Sequence, residues 1–156
     1  MKEGKISSKT PVDENGKIDR RRLGKLSRAR GARFELRVRA DLEKAGWITD
    51  KWTNNVDLEE GKLVKAKRKY NPFMKALSVG TGFPDFICFK RGDKEFEVIL
   101  LEVKRTGVLD REEKLKCQWY LQNKIVDNIL IAIEEHEGRS IVVKYVNFKD
   151  KYPKFC

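Results

Sequence analysis

The chain has 156 residues, which is enough for one domain with a single substantial core but not for two. It contains 35 lysines and arginines against 24 acidic residues, a net charge of +11. No apolar run approaches the roughly 18 residues of a membrane span and no signal-peptide core is visible, so we expect no membrane partner and a cytoplasmic location. Three scattered cysteines without a CxxC pair argue for a reducing compartment and against structural zinc.

Positive charge is concentrated in two segments of the chain. Residues 1–33 contain eleven lysines and arginines against four acidic residues, and residues 61–75 contain six against none. All other residues together have a net charge of −2. Basic charge confined in this way is typical of a surface that binds a polyanion, and we expect DNA as the partner. The alternative is that these segments only keep the protein in solution.

Polar residues without periodicity predict a flexible basic arm over residues 1–22. A helix is predicted from about Leu23 or Ser27 to Ala45, where Gly46 ends it. Five arginines of the arm and the helix are candidate phosphate contacts: Arg20, Arg21, Arg22, Arg30 and Arg33.

The predicted helix has one carboxylate of interest beside its apolar stripe. Glu35 has two interpretations at this point. It forms either a favourable i,i+4 ion pair with Arg39 or part of a metal site that the helix brings to the edge of a sheet. The stripe itself consists of four residues at helical spacing: Phe34, Val38, Leu42 and Ala45.

A basic insert is predicted after the first strand. Residues 47–53 alternate well enough for that strand, and residues 54–55, both asparagine, predict the turn that ends it. The insert, residues 61–75, is predicted to be either a short helix before Pro72 or a loop that orders on nucleic acid. Basic residues interleaved with aromatic residues suit contacts to phosphate and base, although an aromatic residue here could equally anchor the loop in the core. The candidate contacts are Lys65, Lys67, Arg68, Lys69 and Tyr70.

Two apolar runs predict a β-hairpin. They are residues 86–89 and 95–103, and the residues between them have turn chemistry. The second run ends in consecutive apolar residues, as expected for a strand buried on both faces. With the turn centred between Asp93 and Lys94, the numbers of paired residues sum to 187.

This register places two carboxylates opposite each other at the open end of the hairpin. Asp85 and Glu102 are then neighbours with Cβ atoms roughly 5 Å apart. Lys104 lies on the same face as Glu102 because side chains alternate along a strand. Two carboxylates this close repel unless a cation lies between them, and oxygen ligands of this kind suit Mg²⁺ or Mn²⁺. The alternative is an ordinary charged strand end that follows a bend.

The pattern Pro84-Asp85, a spacer and then Glu102-x-Lys104 resembles the PD-(D/E)XK nuclease superfamily. Within this superfamily, the surrounding residues, GFPDF and LEVK, are similar to those of VRR-type nuclease modules and archaeal Holliday-junction resolvases. The resemblance implies a divalent-metal phosphodiesterase. It implies that Asp85, Glu102 and the carbonyl of Val103 hold the metal and that Lys104 is catalytic.

A second helix follows this motif. Asp110 and Glu113 form the pattern of an N-terminal capping box, and the helix is predicted to run to about Asn123. The resemblance adds two helical residues to the candidate site. It implies that Glu35 holds a second metal or its waters, and that Gln118 approaches the site from the second helix.

Residues 128–134 and 140–148 predict two further strands, with the only histidine, His136, in the exposed turn between them. A single histidine excludes metal sites that need several histidines, and its predicted place in an exposed turn argues against Ser-His-Asp catalysis. The order of elements predicts an α/β fold, a three-layer sandwich with a mixed central sheet, as one domain over residues 23–156. The resemblance implies a restriction-endonuclease-like αβββαβ core over about residues 27–147.

We therefore expect a Mg²⁺- or Mn²⁺-dependent DNA endonuclease that is selective for branched or junction DNA and acts as a homodimer. Two alternatives stay open. One is a nuclease that acts on linear double- or single-stranded DNA, and the other is a non-catalytic nucleic-acid-binding module of the same fold. The intact set of Asp85, Glu102 and Lys104 favours an enzyme, because a module that needs only affinity has no use for two repelling carboxylates.

Overall fold

The computed structural model describes residues 10–12, 14–67, 69–72, 75–78 and 82–156. None of the helices in these ranges has the length and apolarity that crossing a membrane requires. In chain order the elements are α1 (Arg20–Lys44), β1 (Ile48–Lys51), β2 (Asn54–Asp57), β3 (Lys62–Lys65), β4 (Lys69–Asn71), β5 (Ala76–Ser78), β6 (Phe86–Arg91), β7 (Phe96–Val103), α2 (Arg111–Gln122), β8 (Asn128–Glu137), β9 (Ser140–Asn147) and α3 (Phe148–Lys151), followed by a 3₁₀ turn (Pro153–Phe155).

Five strands form one mixed sheet in the order β1-β6-β7-β8-β9. Neighbouring strands are antiparallel except for β7 and β8, which are parallel. Parallel neighbours need a crossover connection, and α2 lies in that connection. Helix α1 packs on one face of the sheet, and α2 with the C-terminal segment packs on the other. The predicted α/β sandwich with a mixed central sheet is confirmed.

Strand β7 lies at the centre of the sheet and is buried on both faces over its second half. Ile99 and Leu101 share a buried cluster with Phe34 of α1, whereas Leu100 shares one with Tyr120 of α2. Because both faces are covered, the strand is continuously apolar instead of alternating. The same alternation places the side chain of Glu102 on the α2 face of the sheet.

Helix α1 begins at Arg20, three residues before the earliest predicted start. Asp19 is its N-cap, and the Asp19 carboxylate accepts the N–H of Arg22 at 2.9 Å. The three consecutive arginines therefore belong to the first turn of the helix and not to an arm. At the other end Ala45 is an exposed C-cap, so its assignment to the apolar stripe is wrong. The buried residues of the helix are the other three predicted ones: Phe34, Val38 and Leu42.

The described part of the predicted arm is folded. Val12 and Ile18 form a β-bridge, and the N–H of Asp19 donates to the carbonyl of Pro11 at 2.9 Å. These contacts close a turn directly before α1. Residues 11–12 and 14–19 of the predicted flexible arm therefore form a hydrogen-bonded turn, and residues 1–9 and 13 lie outside the described residues.

Two hairpins, β2–β3 and β4–β5, occupy the region of the predicted insert. The turn predicted at residues 54–55 is wrong because both residues belong to β2. The helix predicted before Pro72 is also wrong, since β4 lies there. The first hairpin is closed by the carboxylate of Asp57, which accepts the N–H groups of Glu59 and Glu60 at 3.0 Å each. This turn chemistry competes with helix formation.

The C-terminal half agrees closely with the predicted elements. Helix α2 begins with the predicted capping box, in which Asp110 and Glu113 exchange two hydrogen bonds of 2.9 Å. Strand β8 extends past its predicted end to Glu137, so exposed His136 lies in the strand and not in the turn. The turn is formed instead around Gly138, whose φ of +61° favours glycine. Two of the three cysteines, Cys88 and Cys117, are buried.

Candidate active site

The hairpin of β6 and β7 has the predicted register. Phe86 pairs with Leu101, so the numbers of paired residues sum to 187. One step beyond this pair the same register aligns Asp85 with Glu102, at the end of the hairpin opposite its turn. The predicted register is confirmed for the paired residues, and the two acidic positions lie one step beyond the last pair.

Backbone hydrogen bonds fasten the segment before β6 to the end of β1. The N–H of Gly82 donates to the carbonyl of Trp52 at 3.2 Å, and the N–H of Phe83 donates to the carbonyl of Asn54 at 2.9 Å. The N–H of Trp52 in turn donates to the carbonyl of Asp85 at 3.1 Å. A Cβ atom on Gly82 would lie 2.2 Å from the carbonyl oxygen of Trp52, so only glycine fits at this position.

Tyr120 supports the same segment from α2. Its hydroxyl donates to the carbonyl of Phe83 at 2.8 Å and accepts the indole N–H of Trp52 at 2.9 Å. Tyr120 is fully buried in the core. The hydrogen bond from Tyr120 to Phe83 was not predictable from local sequence patterns, because the two residues are 37 positions apart.

The carboxyl groups of Asp85 and Glu102 occupy a buried environment. The carboxylate of Asp85 accepts the N–H of Val103 at 2.9 Å, and Glu102 is only 5% exposed. Burial, together with the charge of Asp85, raises the pKa of Glu102 to about 8. Burial also raises the pKa of Asp85, against the hydrogen bond from Val103, which lowers it. Without a cation, this pair does not readily carry two negative charges at neutral pH.

Lys104 supplies one cation beside this pair. Its ammonium group donates to the carboxylate of Glu113 and lies 3.5 Å from that of Glu102. Burial lowers the pKa of Lys104, but the hydrogen bond to Glu113 and the charge of Glu102 outweigh burial, so the pKa is raised overall. Lys104 is therefore charged at neutral pH, which suits it to balancing negative charge and not to accepting a proton.

Glu113 is the acidic residue of the site that the sequence did not reveal. One carboxylate oxygen accepts the N–H of Asp110 at 2.9 Å, as expected for a capping box, and the other binds Lys104. The start of α2 thus holds the lysine in place. The capping box identified Glu113 as a helix-start residue, but only the path of the crossover brings that helix start beside the end of β7.

Glu35 does not form the ion pair with Arg39 that is one of its two predicted interpretations. Its carboxylate binds Lys51 at the end of β1, whereas Arg39 pairs with Glu43 at 2.9 Å. The charges of Glu35 and Lys51 both act on the carboxyl group of Asp85, so the helix does bring Glu35 to the acidic end of the hairpin. The i,i+4 pair with Arg39 is wrong because Glu43 lies one turn further along and takes that partner.

Gln118 lies on a different face of α2 from Glu113. One helical turn before it on the same face, Lys114 lies over the ring of Tyr152 at 4.7 Å, so this face turns toward the C-terminal segment. Lys116 is the basic residue of α2 that lies close to the bend. Its ammonium group is 5.8 Å from the ring centre of Phe83.

Acidic groups outnumber basic groups at this end of the sheet, so a divalent cation would balance the charge. In the described part of the chain, no three acidic, histidine or cysteine side chains converge closely enough to hold a metal by themselves. Two carboxylates and the carbonyl of Val103 fit Mg²⁺ or Mn²⁺ as donors, since the N–H and C=O of a strand residue point to the same side. Four carboxylates face two ammonium groups here: Glu35, Asp85, Glu102 and Glu113 against Lys51 and Lys104.

The basic candidates divide into two groups. The three arginines that open α1 are exposed, and Arg30 and Arg33 line a cleft further along the helix. In the insert, Tyr70 is 62% exposed, which argues against its role as a core anchor. Two insert lysines are exposed as well: Lys65 and Lys67. Arg68 and the side chain of Lys69 lie outside the described residues.

Comparison of the chain with protein-family models, with curated proteins and with solved structures found no match. The resemblance to PD-(D/E)XK nucleases rests on Pro84, Asp85, Glu102 and Lys104 and on the order of the elements around them.

The raised pKa of Glu102 predicts a pH-dependent stability in the absence of metal. The folded protein keeps a proton on Glu102 up to about pH 8, whereas the unfolded chain releases it near the ordinary value of 4.5. Between these values the folded state binds more protons, so the free energy of unfolding falls as the pH rises. We expect Glu102→Gln to lessen this fall, and melting temperatures at pH 5 and pH 8 in EDTA measure it.

The matched control is Glu97→Gln, which changes an exposed carboxylate on the same strand. This control should keep the pH dependence of the wild type. If Glu102→Gln and the wild type lose equal stability between pH 5 and pH 8, Glu102 is not held in its protonated form.

Proposed function

We propose that the protein is a divalent-metal-dependent DNA endonuclease of the PD-(D/E)XK type. The observation that carries the proposal is the pair of carboxyl groups, half-buried Asp85 and buried Glu102, beside the charged Lys104. Burying two like charges together is unfavourable unless a cation joins them. A divalent-metal site makes such an arrangement useful, and the basic residues nearby suit a polyanionic substrate.

The order of the elements supports the same class. Apart from the two small hairpins between β1 and β6, the chain runs helix, three strands, helix, strand from α1 to β8. This is the αβββαβ order of the nuclease superfamily. Asp85 directly precedes the second of these strands and Glu102 lies on the third, which is the placement of the superfamily motif.

Asp85, Glu102 and the carbonyl of Val103 would hold Mg²⁺ or Mn²⁺. What such an ion supplies is polarisation of a phosphate oxygen and a lower pKa for a coordinated water. Lys104, as an ammonium group, would offset the charge that develops on the phosphoryl oxygens. Glu113 would position Lys104, and Glu35 would act on the metal's outer waters or on a second ion.

The substrate we propose is branched DNA, with four-way junctions as the leading case. The test compares a four-way junction, a flap, a linear duplex and a single strand at equal concentration, each with Mg²⁺, Mn²⁺ or EDTA. We expect cleavage only with metal, and faster cleavage of the branched substrates. If no substrate is cut at any metal concentration, the enzymatic proposal fails.

The same panel decides substrate shape and assembly. Symmetric nicking of the junction by a protein that elutes as a dimer would support a resolvase. Equal cutting of plain duplex would contradict structure selectivity and favour a nuclease for linear DNA.

A non-catalytic nucleic-acid-binding module is the second candidate. The observation in its favour is that Asp85 and Lys104 already have protein partners, Val103 and Glu113. Under this alternative the protein binds DNA with or without metal and leaves it intact. Binding in EDTA together with intact DNA in Mg²⁺ would establish it.

A further inference from the structure

A cleft of about 550 Å³ lies between α1 and the ends of β8 and β9. Its lining combines four guanidinium groups with one carboxylate, one imidazole and a small apolar floor. The residues are Arg30, Arg33, Phe34, Arg37, Arg105, Glu134, His136 and Ile141. A concave site with this excess of positive charge is suited to an anion.

The cleft lies at the same end of the sheet as the acidic pair but on the opposite face. Arg105 directly follows Lys104, and side chains alternate along an extended chain. Lys104 therefore turns to α2 and Glu113, whereas Arg105 turns to the α1 side and Glu134. Within the plane of the sheet, β8 is two strand spacings, about 10 Å, from β6, and Asp85 directly precedes β6.

Two of the four arginines are fixed by protein contacts. Arg105 donates to both carboxylate oxygens of Glu134, at 2.5 and 2.9 Å. Arg37 donates to the carbonyl of Ile141 at 2.6 Å. These contacts hold their guanidinium groups against the walls, so that part of the cleft is built before any ligand arrives.

The other two arginines point to a ligand from outside the chain. Arg30 and Arg33 are exposed, and no acidic side chain in the described ranges forms an ion pair with either of them. Arg30, Arg33 and Arg37 follow one another at i,i+3 and i,i+4 spacing, where like charges destabilise a helix. The whole segment from Arg20 to Arg33 contains seven basic and no acidic residues. Anion binding gives this unfavourable arrangement a use.

We infer that the cleft is a phosphate-binding site, separate from the candidate metal centre. Guanidinium groups bind phosphate oxygens through paired N–H donors, and Arg30 and Arg33 have these donors available. The inference deepens the proposed function, because a cleft about 10 Å along the sheet edge would take a backbone phosphate other than the one cleaved. A free phosphate group has the same chemistry and is the other source to distinguish.

The test removes the two available arginines together, as Arg30→Ala/Arg33→Ala. Arg105 is kept, since its loss would remove the bidentate partner of the nearly buried Glu134 and leave only His136 beside that carboxylate. The charge-matched control is Arg91→Ala/Lys94→Ala, at the exposed hairpin turn at the opposite end of the strands. Binding of a four-way junction is measured in EDTA over a salt series, so that the result does not depend on cleavage.

We expect the double variant to bind the junction more weakly than the wild type does. The slope of log affinity against log salt should become less steep by about 2, one for each phosphate-bound arginine. The control should keep the slope of the wild type. A parallel NMR titration with inorganic phosphate should shift the arginine side-chain and His136 signals of the wild type but not those of the double variant.

A phosphate response without any change in DNA binding would assign the cleft to a free phosphate group. An unchanged slope together with no phosphate response would overturn the inference. Because both measurements omit metal, a phosphate site in a protein that cuts no DNA would leave the inference standing while the proposed nuclease activity fails.

Discussion

Replacing Lys104 with methionine is expected to slow Mg²⁺-dependent DNA cleavage by about 10²–10⁴-fold while DNA binding is retained. The variant keeps most of the aliphatic stem but removes the ammonium group that lies 3.5 Å from Glu102 and binds Glu113. Asp85→Asn should have an effect of similar size, because it removes one of the two carboxylates of the proposed metal site. Single-turnover cleavage rates and equilibrium binding in EDTA measure the two quantities separately.

The controls come from the turn at the other end of the same hairpin. Lys94→Met and Asp93→Asn make the same chemical changes at exposed positions and should leave cleavage unchanged. Melting temperatures of all four variants exclude unfolding as the cause of a loss. If Lys104→Met and Asp85→Asn cut DNA as fast as their controls do, the hairpin end is not the catalytic centre.

Among glycine-to-alanine substitutions at the described positions, Gly82→Ala is expected to give the largest loss of stability. The added Cβ would lie 2.2 Å from the carbonyl oxygen of Trp52 and 2.4 Å from that of Asn54. Both are backbone atoms and cannot rotate away, so the bend or the end of β1 must move. We expect a loss of about 3 kcal/mol or more in the free energy of unfolding.

The same substitution should also impair the site, because Gly82 begins the segment that carries Asp85. Gly31→Ala is the matched control, since this glycine lies inside α1 with open space around its position. Its replacement should stabilise the protein by about 0.5–1 kcal/mol, the opposite sign. Urea denaturation measures both changes. Equal midpoints for Gly82→Ala and the wild type would show that the bend is not packed as described.

The acidic pair was predictable from the sequence because its geometry is local. The turn between β6 and β7 fixes the register of the hairpin, and one step beyond the last pair this register puts Asp85 opposite Glu102. The capping box of α2 was predictable for the same reason, since Asp110 and Glu113 are three residues apart.

The errors occurred where weak local signals competed. Basic residues before Pro72 allow a helix on propensity alone, but the insert forms short strands whose pairing supplies the hydrogen bonds. The start of α1 moved to Arg20 because Asp19 caps it, and a cap outweighs the unfavourable charge of three arginines near a helix N-terminus.

The sequence by itself therefore determined the α/β class, the buried central strand, and the alignment of Asp85 with Glu102 beside Lys104, all through spacings of a few residues. Only the tertiary structure decided which groups surround that pair. The partners of Glu35, Lys104 and Arg105 depend on how α1 and α2 cross the sheet, and that crossing is set by side-chain packing between residues far apart in the chain.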